Sequence, residues 1–169
     1  MEDVFLPCGN IRLEILTPIS QVVFGEAARQ AARNGSESIR TSHLFMGLLA
    51  NPDASLVRWG DRLHADLSRL LAQFQELFTT PKAGVHALPK LHREFLSDQM
   101  ISVLREAIGR SRDHGREVVS PMDLLVSLLT DSGSVVAECF ERIGLTAAKL
   151  TELAVLAEQR LGIDRDSPI

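Results

Sequence analysis

The chain has 169 residues, 45% of them apolar and 24% charged, which excludes a disordered chain and supports one domain or two small coupled halves. Its net charge of −4, from 18 Lys and Arg against 22 Asp and Glu, comes without a basic run longer than two residues. That excludes the electrostatic footprint of a nucleic-acid binder. Aromatic residues make up only 5%, with one Trp and no Tyr, a balance that favours packed helices over a β-sandwich or barrel.

In chain order, residues 1–16 stand apart. Ile11, Leu13 and Ile15 alternate with Arg12 and Glu14, and Val4-Phe5-Leu6 precedes the turn-rich Pro7-Cys8-Gly9-Asn10. A short hairpin is predicted, which must dock on the body, pair with a second molecule or stay loose. Thr17-Pro18, an N-cap followed by Pro, opens a helix that Asn34-Gly35 closes. Short apolar helices follow around Leu44, Phe45, Leu48 and Leu49, capped by Thr41, and over about 54–63. Leu67, Leu70, Leu71, Phe74, Leu77 and Phe78 give a fourth helix with a well-separated apolar stripe. Residues 79–96, with Pro81, Gly84 and Pro89, read as a connector.

The same order then returns. Ser97-Asp98 opens a helix with the stripe Met100, Leu104, Ala107, Ile108 and Ser111, stopped at His114-Gly115. Ser120-Pro121-Met122-Asp123 is a capping box with Pro at N1, ahead of Leu124, Leu125, Leu128 and Leu129. A third helix is predicted at 134–143, and Leu150, Leu153, Ala154, Ala157 and Leu161 mark the fourth. A shift of 80 residues superimposes the halves without a gap: Val23 on Val103, Ala27 on Ala107, Gly35 on Gly115, Leu44 on Leu124, Leu48 on Leu128 and Leu70 on Leu150, among others. The organisation is thus an extension (1–16), repeat one (17–78), a connector (79–96), repeat two (97–161) and a tail (162–169). Small residues on the first helix of each repeat point to close helix–helix approach.

Chemistry-bearing motifs are sparse. His43, His64, His86, His92 and His114 show no metal-ligand spacing, and Cys8 and Cys139 form no Cys-x-x-Cys. No nucleophile elbow, P-loop or dinucleotide fingerprint occurs. No enzyme activity, metal or cofactor is expected. Two cysteines fit a reducing compartment, no apolar run approaches the ~18 residues of a membrane span, and the acidic Met1-Glu2-Asp3 lacks a signal peptide's charge. A cytoplasmic protein without membrane or nucleic-acid partners is expected. Met46 and Met100 read as core, Met122 as exposed at a helix start, and Trp59 as buried between the third and fourth helices or an interface anchor.

Val23-Phe24, Ala27, Ala31, Gly35 and Ile39-Arg40-Thr41-Ser42-His43-Leu44-Phe45-Met46-Gly47-Leu48-Leu49 together resemble the amino-terminal repeat domain of the Clp-type AAA+ unfoldases. Val103-Leu104, Ala107, Gly115, Val119-Ser120-Pro121-Met122-Asp123-Leu124-Leu125 and Phe140-Glu141-Arg142-Ile143-Gly144-Leu145 give the second copy. The resemblance covers about 19–161. It implies an all-α fold, a tandem pseudo-twofold pair of four-helix units, here preceded by the short extension. It also implies a non-catalytic module that recruits substrates or adaptors to an AAA+ unfoldase or protease, with a protein or peptide partner. Ser42 and Met122 stand where the family has the Glu of Gly-Thr-Glu-His, so the acidic residues that help ClpC-like domains bind phosphoarginine are missing. Arg40 in place of Gly brings the first motif closer to the type VI secretion ClpV variant, whose domain binds a sheath-protein helix. With no ATPase motif after the second copy, the expectation is either a stand-alone Clp-repeat protein, which the Met1 start favours, or a piece of a longer unfoldase, and a homodimeric scaffold through residues 4–16 is the structural alternative. The candidate contact residues are Arg40, Thr41, Ser42 and His43, with Ser120, Pro121 and Met122 from the second copy.

Overall fold

The structure, a computed structural model, describes residues 4–78, 88–131 and 133–166. The described residues form α1 (Pro18–Arg33), α2 (Thr41–Ala50), α3 (Ala54–Leu63), α4 (Leu67–Phe78), α5 (Asp98–Asp113), α6 (Pro121–Thr130), α7 (Val135–Glu141) and α8 (Ala147–Asp166). The fold is all-α, as the composition and periodicity predict. Parts of the expected connector and tail, residues 79–87 and 167–169, lie outside the described residues.

The cap residues set where helices begin. The Thr17 hydroxyl accepts a hydrogen bond from the Ser20 N–H, and the Ser97 hydroxyl accepts one from the Met100 N–H. In α6 the box is complete: the Ser120 hydroxyl accepts from the Asp123 N–H, and an Asp123 carboxylate oxygen accepts from the Ser120 N–H at 2.8 Å. In α2 the N-cap is Arg40 and not Thr41 as expected. His43 is the reason. Its Nδ1 accepts the Arg40 N–H at 2.9 Å, which fixes the helix start one residue earlier and leaves Thr41 inside the first turn.

Helices α2 and α6 are the centre of the molecule. Every residue from Thr41 to Leu49 and from Pro121 to Leu129 is buried; both helices are mainly apolar after their first turn, as befits central helices. Around them α1 packs on α2, α5 on α6, α4 on α2 and α8 on α6, while α3 crosses to α8 and α7 touches both α2 and α6. The closest approach is α1 on α2, where a Cβ added to Gly47 would lie 2.6 Å from the Val23 carbonyl oxygen. Met46 and Met100 are core residues. Trp59 is buried too, but against Phe45 of α2 and Phe140 of α7, with its indole N–H donating to the Leu150 carbonyl of α8 at 3.1 Å.

Two short parallel bridges knit the halves. The Thr17 N–H donates to Val119 O and the Val119 N–H to Ile15 O; 80 residues on, the Ser97 N–H donates to Ile39 O and the Ile39 N–H to Phe95 O. Each half therefore lends the segment before its first helix to the segment before the other half's second helix. Such an exchange is the pattern a twofold relation between halves generates. Ahead of these bridges, Leu13–Ile15 and Arg93–Phe95 are matching 3₁₀ turns. The alternation at 11–15 thus ends in a turn instead of continuing as a strand. The hairpin itself consists of Phe5 bridged to Ile11 around a turn at Gly9 (φ 100°). It docks on the body: Val4, Phe5 and Ile11 are buried, Asn10 bridges to His92, and the Arg93 guanidinium lies 4.9 Å from the Phe5 ring centre. A Cβ on Gly9 would collide with the His92 ring.

Two stability predictions follow from this packing. Gly47→Ala should cost about 1–3 kcal/mol through overpacking, despite the better helix propensity of Ala. Gly25→Ala, where an added Cβ meets nothing within 4 Å, should be neutral or stabilising by up to about 1 kcal/mol; urea melts of both variants check the contrast. His43 is 3% exposed, and burial, with the Arg40 charge second, lowers its pKa from 6.5 to about 4. Its Nε2–H donates to Asn34 Oδ1 at 3.0 Å, so the ring is held neutral. The unfolded chain then binds the extra proton between about pH 6.5 and 4, and stability falls as pH drops through that window, by up to about 3 kcal/mol. His43→Gln should flatten the stability–pH curve there while leaving the loss below pH 4 that Asp123 contributes.

Candidate functional site

The seam between the halves opens into a groove of about 460 Å³. Its first wall is the α1–α2 corner, Asn34 to Ser36 and Arg40 to His43; its second is the starts of α5 and α7, with Ser97, Gln99 and Val135; Phe78 at the end of α4 closes one end. Three helices begin here because Arg40, Ser97 and Ser134 are their N-caps. Arg40 is the one charged lining residue, since His43 is neutral. Phe78 and Val135 supply apolar surface, and the remaining lining residues are mostly small and polar. Such a cleft suits an extended segment or a helix edge held by a few side chains.

The seven residues picked out by sequence divide here. Arg40 is exposed at the groove mouth. Thr41, Ser42 and His43 are buried and form its wall from within. Ser120, Pro121 and Met122 do not line it. Met122, expected to be exposed, is only 2% so, because the Leu16–Val119 bridge runs just ahead of α6 and covers its first turn. Phe78, Gln99 and Val135 were not picked out; each lies at a helix end remote in sequence from the repeat motif.

The second half builds a different structure at the counterpart positions. Asp123, fully buried, stands where His43 does, and its carboxylate receives Arg110 Nη1 at 2.7 Å and both terminal nitrogens of Arg116. Glu158, at the position of Phe78, takes Arg110 Nη2 at 2.8 Å. Burial pushes the Asp123 carboxyl upward, but hydrogen bonds from Arg116, the Ser120 N–H and Arg110 outweigh it and hold the group below its ordinary value. Burial likewise disfavours charge on Arg110, and Glu158 and Asp123 more than restore it. Arg116, hydrogen-bonded first of all to Asp123, is raised as well. Its role is to neutralise a buried carboxylate. Four positions change together between the halves (Gln30 to Arg110, Ser36 to Arg116, His43 to Asp123, Phe78 to Glu158). That concerted change is the sequence signal that would have found the cluster.

Other chemistry-bearing residues have local roles. His92 Nε2 donates to the Cys8 carbonyl at 2.9 Å, and His64 ends α3 with a left-handed φ of 56°. Burial pushes the Cys139 thiol up, the opposite of an activated nucleophile. Among the described residues no three His, Cys, Asp or Glu side chains gather as a metal would need, and no helix is long and apolar enough to cross a membrane.

No protein-family model matches the chain, and no curated protein does. Solved structures do. The N-terminal domain of the chaperone ClpD from Arabidopsis thaliana is 19% identical with a TM-score of 0.66, over 89% of this chain and 99% of that one. The N-terminal domain of the ClpV1 ATPase from E. coli is 18% identical with a TM-score of 0.64, over 87% and 88%. A ClpV N-domain solved in complex with a VipB peptide is 15% identical with a TM-score of 0.63, over 94% of each chain. The chain therefore has the fold of the N-terminal domains of Clp-type AAA+ unfoldases.

Proposed function

We propose that this protein is a non-catalytic interaction module that recruits substrates or adaptors to a Clp-type AAA+ unfoldase or protease, using the seam groove as its contact surface. The observation that carries the reading is the coincidence of two independent features. The fold is that of domains at the front of unfoldases, one of them solved with a partner peptide bound, and the groove gathers Arg40 to His43, the stretch that carries the family-like motif. In this reading Arg40 offers a positive charge at the mouth, Phe78 and Val135 take an apolar side chain, and the buried Thr41, Ser42 and His43 keep the wall rigid. A rigid wall lowers the ordering cost of binding.

A more specific version is also supported. Arg40 at the ClpV-like motif position, together with the peptide complex of a ClpV N-domain, favours a helix of a type VI secretion sheath protein as the partner. The dimeric scaffold has less support, because residues 9–11 already hydrogen-bond to 91–93 of their own chain and the apolar residues of the hairpin face inward.

Arg40→Glu combined with Val135→Asp changes the groove mouth without touching the core. In pull-downs from the protein's own cell extract, the unaltered chain should enrich an unfoldase subunit, an adaptor or a sheath protein, and the double variant should lose it while melting at the same temperature. The purified partner peptide should bind in the micromolar class, at least tenfold more weakly to the variant. Enrichment of none of these proteins, or equal enrichment by both chains, would contradict the proposal.

A further inference from the structure

A second and larger cavity, about 730 Å³, lies where the end of α6, the first two turns of α7 and the start of α8 meet. Its existence traces to side-chain size. In the first half the start of α4 carries Leu67 and Leu71, both packed against the core, and a Cβ on Gly60 would come within 2.9 Å of Leu67. Eighty residues on, α8 carries the smaller Ala147 and Thr151, and an open groove is floored by Ala137, Ala147 and Ala148. At the position of Gly60 the second half carries the buried Phe140, so a small residue at 147 accompanies a large one at 140.

The rim has one sign of charge. Asp131, Glu138 and Glu141 line it, and no Lys, Arg or His does. Arg142 approaches Glu138 only at 3.8 Å with both side chains well exposed, and Lys149 is turned to Glu152 at 3.9 Å. Asp131 is fixed by Gln99, whose Nε2 donates to its carboxylate at 2.6 Å and to the Gly133 carbonyl at 3.1 Å. Gln99 also lines the seam groove, so the two grooves flank one braced loop. Beside the acidic rim, Ile143 at the α7–α8 turn is 70% exposed.

We infer that this groove is a separate docking site for a basic, apolar peptide segment, whose aliphatic side chains sit on the alanine floor while Arg or Lys side chains reach Glu138 and Glu141. The charge complementarity selects the occupant: three carboxylates line the groove against the single exposed Arg142 beside Glu138, which disfavours an acidic or nucleic-acid ligand. Small floor residues let the ligand backbone come close. The site does not depend on the role assigned to the seam groove.

The experiment titrates the whole chain into a fluorescein-labelled peptide of about twelve residues built from Leu, Ala and Arg, beside a matched peptide with Glu in place of Arg. Anisotropy should report binding of the basic peptide alone, weakening with added salt. Glu138→Lys with Glu141→Lys, both surface changes, should weaken it at least tenfold at an unchanged melting temperature. Thr151→Leu, which adds bulk to the α8 wall and removes a buried hydroxyl without a hydrogen-bond partner, should weaken it severalfold while keeping the melting temperature. Arg40→Glu should leave it unaltered, which separates this site from the seam groove. Equal binding of the acidic peptide, or full affinity after charge reversal or groove filling, would overturn the proposal.

Discussion

Four backbone hydrogen bonds, Thr17 and Val119 on one side and Ile39 and Ser97 on the other, decide how the rest of this molecule is arranged. Each pair joins a segment of one half to a segment of the other, so the approach to each second helix is held by the opposite half. Because those segments lead straight into α2 and α6, the exchange delivers two buried, mainly apolar helices into a common interior. Once they are there, α3 can cross to α8, and Trp59 can place its indole N–H on the Leu150 carbonyl in the opposite half. The seam groove is a by-product of the same geometry, since the starts of α2, α5 and α7 are brought to one place.

Duplication sets the frame, and divergence supplies what differs. The side chain that accepts the N-cap N–H is a neutral imidazole with an amide partner in α2 and a carboxylate held by two guanidinium groups in α6. A buried carboxylate without those partners would be costly, which explains why Arg110, Arg116 and Glu158 accompany Asp123. The halves also differ in which corners are filled. Phe78 leaves the seam groove with an apolar end, whereas Glu158 at the matching position is spent on Arg110. Leucines pack into the α4 corner, whereas alanine and threonine line the open α8 corner. Such asymmetry leaves one body with two chemically distinct surfaces.

Much of this was legible in the sequence. Caps and stops such as Thr17-Pro18, Asn34-Gly35 and Ser120-Pro121 placed helix ends because their chemistry is local. The offset of 80 placed the elements in register because apolar positions must repeat if the packing does. What sequence reading missed depended on distant partners. The alternation at Ile11 to Ile15 suggests a strand, but the segment turns at Leu13–Ile15 so that Leu16 can reach Val119. Read with that in view, the repeat extends back to Glu14 and Leu16, which fall on Glu94 and Leu96. Thr41 loses the cap to His43 because an imidazole two residues on can reach the Arg40 N–H. Met122 is buried because a bridge from the other half covers it. The seam groove was half legible: Arg40 to His43 lie in the repeat motif, whereas Phe78, Gln99 and Val135 join them only through tertiary structure.

The central claim is that the two halves fold as one cooperative body through their exchanged segments, and native-state hydrogen exchange tests it most directly. The amides of Thr17, Ile39, Ser97 and Val119 should all exchange only through global unfolding, with one shared opening free energy equal to that of the α2 and α6 core. If either bridge opened well below that level, or one half exchanged while the other stayed protected, the halves would be separable units and the claim would be wrong.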